Sequence, residues 1–356
     1  MKKSRKYRIN RWIKEHIDFK FQPARAFSKP NTFAMETSRG CNLKCAMCAL
    51  EMEGGINRGE NLSDKVFEKI ESYIEYCDGI LMNGWNEPLL DKKIFERVKK
   101  VLDKGVNTHF NSNGTLLTKE AAQKLVDIPV FHIGFSIDAA TKEVYESIRE
   151  GSNYGEVVEN VKYMVDYKKQ KGASLPHIII AFTAMKPNLH DIPKLPILAK
   201  ELGIDIVNIS DVIMYTSEMD EELRYEHDEL MKYLEEAREV AKGLNVTVNY
   251  TNLHKDMYFK DVEEDLGKRE PEFENRICTT TYKSMLILSN GDAFPCCFMV
   301  GKPLGNIKDQ SIEEIWNGKN YKEVRRRIKN GNPPAVCRIC PFLESTRGDK
   351  KQYYVG

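Results

Sequence analysis

Asn31–Thr37 (NTFAMET) runs through Ser38, Arg39 and Gly40 into Cys41-Asn42-Leu43-Lys44-Cys45-Ala46-Met47-Cys48, and this stretch decides how the chain is read. A short apolar strand delivers three thiols within eight residues of one loop. A cubane [4Fe–4S] cluster takes four thiolates. Three local ones leave one iron open, and an open position is what a catalytic metal site keeps. The alternative is zinc held by Cys45 and Cys48 together with the distant pair Cys337 and Cys340. That arrangement gives Cys41 no role.

Downstream of the loop, strands and helices alternate. Ser63 N-caps a helix reaching about Tyr76. Gly79–Met82 is a strand and Asp91–Lys104 a helix; Val106–Phe110 is a strand, and Thr118 caps the next helix. Val130–Ile137 is a strand, Tyr154–Lys171 a helix, and His177–Met185 a strand with the apolar run of a buried parallel element. Ile192–Leu202 is a helix, Asp205–Ile209 a strand and Leu223–Lys242 a long charged helix. This makes about six β-α units and an α/β fold with a parallel sheet. Six is fewer than the eight of a closed TIM barrel, so the expectation is a partial (β/α)6 TIM-type barrel. Chemistry in such sheets collects at the C-terminal strand ends, where the cysteine loop falls.

The pattern changes near residue 250. Five segments are expected: an arm (1–30), the partial barrel (31–250), a polar linker (251–277), a small α+β domain (278–342) and a tail (343–356). The small domain opens with a hairpin, Met285–Leu288 and Ala293–Pro295, around the strong turn signal Asn290-Gly291. Short helices at Ser311–Trp316 and Tyr321–Ile328 follow.

The composition, 41% hydrophobic and 30% charged, is that of a soluble globular protein. No apolar run has the length of a membrane span, and the N-terminus has no signal-peptide stretch. The expected compartment is the cytoplasm, where thiols stay reduced and nine cysteines argue for metal or redox chemistry. A net charge of +1 conceals an asymmetry: residues 1–30 carry ten Lys/Arg against Glu15 and Asp18. In this arm Ile9, Trp12, Ile13, His16 and Ile17 fall at amphipathic helical spacing. Either the helix packs across an end of the barrel with a solvated basic face, or it meets an anionic membrane or partner. No nucleic-acid partner is expected.

Five of the remaining cysteines cluster late: Cys278, Cys296, Cys297, Cys337 and Cys340. Two ligands around a hairpin plus a Cys-x2-Cys pair suit either a four-thiolate zinc site or a fully ligated [4Fe–4S] cluster. Cys77 lies in a helix and reads as a small buried hydrophobe.

Cys-x3-Cys-x2-Cys at the end of a first strand, ahead of β-α units, resembles the signature of the radical S-adenosylmethionine (SAM) superfamily. The resemblance implies that Cys41, Cys45 and Cys48 hold a [4Fe–4S] cluster whose open iron chelates SAM. Reductive cleavage would then give a 5′-deoxyadenosyl radical that abstracts a substrate hydrogen atom. Gly84-Trp85-Asn86-Glu87-Pro88 resembles the family's Gly-Gly-Glu-Pro segment, with Trp85 and Asn86 in place of two glycines. Asn111 and Asn113 after the third strand, and Ser136 and Asp138 at the end of the fourth, resemble segments facing the SAM ribose and carboxylate. Ser136 and Arg149 look like the pair that holds that carboxylate, a group a guanidinium fits bidentately. Met47 stands where an aromatic residue is common.

The late cysteines resemble the SPASM/twitch arrangement of 2-deoxy-scyllo-inosamine dehydrogenase and, in layout, of anaerobic sulfatase-maturating enzymes. This implies an auxiliary [4Fe–4S] cluster on Cys278, Cys296, Cys337 and Cys340. The Gly291-x4 spacing favours Cys296 over Cys297. A fully ligated cluster can accept an electron, so the implied reaction is a two-electron oxidation: dehydrogenation or oxidative bond formation. Asp211 and Tyr215, after the sixth strand, are candidates for the accompanying base. The alternatives are a peptide- or protein-modifying maturase and a radical enzyme acting on a lipid-linked substrate. A flavodoxin or ferredoxin is the electron donor implied by resemblance.

Overall fold

The computed structural model describes residues 5–51, 61–213, 217–251, 276–299, 302–338, 340 and 343–345. Along the chain, α1 (Arg5–Phe21) precedes β1 (Thr32–Met35), and the cysteine loop contains the two-residue β2 (Lys44–Cys45). Then come α2 (Asp64–Glu71), β3 (Gly79–Leu81), α3 (Ile94–Asp103), β4 (Asn107–Ser112), α4 (Lys119–Asp127) and β5 (His132–Ser136). Next are α5 (Lys142–Ile148), β6 (Arg149–Glu150), α6 (Tyr154–Gln170), β7 (His177–Ala184), α7 (Leu195–Leu202) and β8 (Ile206–Asp211). The helices α8 (Ser217–Leu223) and α9 (His227–Leu244) lead to β9 (Thr247–Thr251). The last part holds β10 (Arg276–Ile277), β11 (Ser284–Ile287), β12 (Asp292–Phe294), β13 (Gly305–Asn306), α10 (Ile312–Trp316), α11 (Lys319–Lys329), α12 (Ala335–Arg338) and β14 (Glu344–Ser345).

All six expected strands form one parallel sheet in the order β1-β3-β4-β5-β7-β8. The sheet then continues at both sides. β9 extends it beyond β8 in parallel register, Ile206 opposite Thr247. Its sequence TVNYT carries β-formers, but its polar, half-exposed residues are those of an edge strand. Thr251, read as the start of a linker, therefore closes a strand; residues 252–275 lie outside the described residues. The long charged helix expected at Leu223–Lys242 is two helices, α8 and α9, interrupted at 224–226. The helix expected at Ile192–Leu202 begins as a 3-10 turn and becomes α-helical only at Leu195, after Pro193.

The late hairpin is not a separate body. β11 pairs in parallel with β1, Thr32 opposite Ser284 and Met35 opposite Ile287. β12 returns antiparallel through a turn where Gly291 adopts φ +88°, which only glycine takes cheaply. The strand that feeds the cysteine loop thus has the first SAM-motif strand on one side and the late hairpin on the other.

Residues alternate between the helical layer and the barrel lumen. Phe33, Met35, Ile80, Phe110, Ile133, Phe135, Ile180, Phe182, Val207 and Ile209 are fully buried under helices. Their neighbours of opposite parity, among them His109, Asn111, His132 and Ser136, face the lumen and are less buried. Among the described residues no helix is long and apolar enough to cross a membrane.

Candidate active site

The cysteine loop is fastened to the segment after β3. Glu87 N donates to Gly40 O (3.0 Å), and Ser38 Oγ donates to Glu87 O (3.0 Å). Asn86 Nδ2 donates to Ser38 Oγ (3.1 Å) and Thr37 Oγ1 (3.3 Å), while its Oδ1 accepts from Gly84 N (2.8 Å). Trp85 packs between Ala49–Leu50 of the loop and the hairpin residues Leu286, Leu288 and Phe294. Asn86 and Trp85, which replace glycines of the expected motif, are thus the fasteners.

Gly84 has its own reason. A Cβ there would lie 2.8 Å from Glu36 Cβ and 2.9 Å from Glu36 Oε2. Glu36, missed in the sequence, is a buried lumen-side carboxyl just past β1. Its Oε1 accepts from Ser289 Oγ (3.0 Å) and N (3.3 Å) in the hairpin turn, and Arg39 stands 3.9 Å away. Burial pushes its carboxyl above the usual range, against the pull of Arg39 and Ser289. A Glu one residue past a strand carries no periodicity signal; only the Gly84 contact exposes its role.

Glu87 does not present its carboxylate to a ligand. It is buried and saturated: Oε1 accepts from Ser112 Oγ (2.9 Å) and Leu89 N (3.1 Å), and Oε2 from Asn113 N (2.7 Å). Its carboxylate ties the segment after β3 to the end of β4. Burial nonetheless raises its carboxyl. Asn111, on the lumen face, leans over Gly134, where a Cβ would come within 2.2 Å of its Oδ1. Gly134 is a second residue that no motif singles out.

Hydrogen-bond donors gather at the first thiols. Leu43 N lies 3.5 Å and Asn113 Nδ2 3.6 Å from Cys41 Sγ. Arg149 Nη1 lies 3.7 Å from Cys45 Sγ, held there by antiparallel pairing of β2 with β6, Cys45 opposite Arg149. Arg149 Nη2 also pairs with Asp138 at 2.5 Å, and Asp138 Oδ1 accepts from Thr183 N (2.7 Å). Asp138 and Arg149 therefore form one buried unit on Cys45. Ser136 ends β5, half-buried on the lumen side.

Burial pushes the Cys45 thiol up to about 12, with Arg149 opposing. Such a thiol ionises only beside a metal's charge. The late thiols show the same need more strongly. Cys278, Cys296, Cys337 and Cys340 lie close enough to raise one another, and burial drives Cys296 and Cys337 well above the ordinary thiol range. Four thiolates cannot coexist there without a cationic core, and an iron–sulfur cluster fits that donor set. Cys297 is exposed, Cys296 half-buried. Cys77 is buried, as expected.

Asp211 ends β8, but its register partner Ala184 and the residue of the same parity, Ile209, are both buried under helices and place it with the helical layer, not the lumen. Its carboxylate accepts from Tyr250 Oη (2.9 Å to both oxygens) and from Tyr225 Oη. The expectation of a catalytic base on the reactive face is thereby corrected. Tyr215, the other candidate, lies outside the described residues.

Residues 35–182 match the Radical SAM superfamily, and residues 278–341 match SPASM, an iron–sulfur cluster-binding domain. The AdoMet-dependent heme synthase of Methanosarcina barkeri is 26% identical over 334 residues, covering 91% of this chain and 92% of that protein. The tungsten-containing aldehyde ferredoxin oxidoreductase cofactor-modifying protein of Pyrococcus furiosus is 23% identical over 340 residues, covering 88% and 89%. Among solved structures, Streptococcus suis SuiB bound to its precursor peptide SuiA superposes with a TM-score of 0.65 at 16% identity, covering 91% of this chain and 73% of SuiB. Fold, thiol sets and matched domains agree: iron–sulfur clusters and SAM are its cofactors, and the chain is a radical SAM enzyme with a C-terminal SPASM domain.

Proposed function

We propose that this enzyme abstracts a hydrogen atom from its substrate and passes the second electron to its auxiliary site, so that the product leaves oxidised. When bound, SAM on the first cluster supplies a 5′-deoxyadenosyl radical, and the auxiliary cluster supplies an electron acceptor. Cys41, Cys45 and Cys48 hold the first cluster; Cys278, Cys296, Cys337 and Cys340 hold the second. Asn113, Arg149 and the Leu43 amide orient and polarise the first set of sulfurs. Asn111, Ser136 and the backbone of Gly84–Asn86 line the place for SAM.

The observation that carries this reading is the in-register pairing of β11 with β1. The first thiols follow the C-terminal end of β1. Cys278 precedes β11, and Cys296 follows β12, which runs back the other way. The two thiol sets therefore flank opposite ends of one strand pair, about 13 Å long at 3.3 Å per residue. A substrate in the lumen would lie between them. Electrons enter from a flavodoxin or ferredoxin in this reading.

A peptide- or protein-modifying maturase is the second reading. It draws on the likeness to SuiB, whose structure holds its precursor peptide. Anaerobically purified protein is expected to carry about eight irons, two cubanes' worth, with a Cys41→Ala variant keeping about half. Cys296→Ala should lose the other half and Cys297→Ala none. Colourless, zinc-loaded protein, or no 5′-deoxyadenosine on adding SAM and reductant, would overturn the proposal. Deuterium transfer into 5′-deoxyadenosine from labelled small molecules or peptides separates the two readings.

A further inference from the structure

Amphipathic helices normally bury their apolar stripe against the protein. α1 does the reverse. The face it turns to the body is Arg11, Glu15, Asp18 and Phe19. Arg11 Nη1 pairs with Asp78 Oδ1 (2.6 Å), and Glu15 accepts from Arg11 Nε (2.8 Å) and Asn31 Nδ2 (2.7 Å). Asp18 accepts from Phe27 N (2.9 Å), Ser28 N (2.8 Å) and Ser28 Oγ (2.6 Å). Phe19 meets the edge of Tyr282 at 6.4 Å. The apolar stripe Ile9, Trp12 and Ile13 faces solvent at 47%, 64% and 43% exposure, with His16 stacked on Trp12 at 5.3 Å.

This is the concentration of surface apolarity in the molecule. Of seven exposed large hydrophobic residues among those described, five lie between Ile9 and Phe27: Ile9, Trp12, Ile13, Phe21 and Phe27. Exposed Lys6, Arg8 and Lys20 flank the stripe at about 100° per residue, whereas exposed Lys14 lies round towards the opposite side. The segment is not a loose tail. Trp316 Nε1 donates to Ser28 O (2.8 Å), Asn317 bonds both backbone groups of Ala26, and Lys329 Nζ donates to Phe21 O (2.8 Å).

We propose that α1 is an interfacial helix that docks this enzyme on an anionic membrane surface. The stripe of Ile9, Trp12 and Ile13 would enter the headgroup region, and the flanking cations Lys6, Arg8 and Lys20 would face anionic lipid. The charge matches: positive charge is concentrated in residues 1–30, while the rest of the chain is net negative, which lets the helix approach an anionic surface and turns the remainder away.

The docking end is not the reaction end. Asp78, Asn31 and Tyr282 precede β3, β1 and β11, so α1 covers the N-terminal ends of the strands. The cysteine loop leaves the opposite ends. Bound this way, the barrel mouth points to the aqueous phase, and substrate arrives from there. The helix thus acts as a tether, separate from any lipid-linked substrate.

The test is co-sedimentation of the full-length holoprotein with vesicles of phosphatidylcholine alone or with about 30 mol % phosphatidylglycerol. Binding to the anionic vesicles should exceed binding to neutral ones at least about tenfold, and should weaken as salt rises. I9S/W12S/I13S should abolish it. Each of Lys6→Gln, Arg8→Gln and Lys20→Gln should weaken it roughly fivefold, and Lys14→Gln less. Trp12 fluorescence should shift to the blue on anionic vesicles and on no others. Far-UV circular dichroism and 5′-deoxyadenosine formation should match wild type in every variant. Equal sedimentation with neutral and anionic vesicles overturns the proposal. So does a wild-type dimer that I9S/W12S/I13S converts to monomer without any vesicle binding, which would assign the stripe to a second copy of the chain.

Discussion

Two contacts at single residues set the geometry of the site. Gly84 lies against Glu36, and a methyl group there would meet the Glu36 Cβ at 2.8 Å, an atom fixed to the chain rather than the free end of a side chain. Gly84→Ala is expected to cost about 1–3 kcal/mol by overpacking and to depress 5′-deoxyadenosine formation, because the same segment is bonded to Gly40 beside Cys41. Thermal unfolding and a SAM-cleavage assay on one preparation check both parts. Asp211 illustrates the opposite case, a polar residue in the right place for catalysis but facing the wrong way. Tyr250→Phe is expected to lose about 1–2 kcal/mol in a urea titration, as one hydrogen bond to a buried charge is removed. SAM cleavage should be unchanged; a loss of cleavage without a loss of stability would return Asp211 to the lumen chemistry.

At the scale of elements, the parallel register places His109, His132 and His177 in one row across β4, β5 and β7. The row faces the lumen near the strand N-termini. Burial, reinforced by the neighbouring imidazoles, pushes His132 down to about 4 and lowers His109 as well. A histidine with its folded pKa below the unfolded value of about 6.5 stabilises the fold fully above pH 6.5. That contribution is lost as pH falls from about 6.5 towards 4. Allowing for partial exposure, the loss is about 2 kcal/mol. The urea midpoint should therefore drop between pH 7 and pH 4.5 more steeply in wild type than in His132→Phe. Comparing the two proteins cancels the acid sensitivity of the clusters, which they share. Parallel slopes would mean that the row is already solvated.

At the scale of the whole molecule, one residue joins arm, barrel edge and SPASM domain. Arg325 is 1% exposed and is stacked on Trp316, Tyr321 and Tyr282 at 4.5, 5.0 and 5.1 Å. It donates to Trp316 O (2.8 Å), Thr281 O (3.0 Å) and Ala24 O (3.3 Å). Burial lowers its pKa, while the carbonyls on Nε and Nη1 and the three ring faces hold the cation in place. Arg325→Met leaves those carbonyls unpaired and should cost about 2–4 kcal/mol. Because Thr281 follows Cys278 by three residues, the variant should also shed the auxiliary cluster first, retaining about four irons and SAM cleavage. Loss of all iron at once would show that the two halves unfold as one unit.

The sequence by itself determined the local features. Three thiols in one loop, alternating β-α periodicity, the Asn290-Gly291 hairpin and the Ser63 and Thr118 caps depend on neighbours a few residues away, and each was legible. Only the tertiary structure decided what depends on side-chain direction and on distant partners. It turned Glu87 inward because three donors, two at the end of β4 and one in the turn after β3, converge on it. It turned Asp211 to two tyrosines because strand parity put it under the helices. It made Gly84 and Gly134 necessary because Glu36 and Asn111 lean across from adjacent strands. It seated the hairpin beside β1, a pairing between segments some 250 residues apart that no local pattern encodes. It also set the arm with Arg11, Glu15 and Asp18 inward, because Asp78, Asn31 and Ser28 offer them partners.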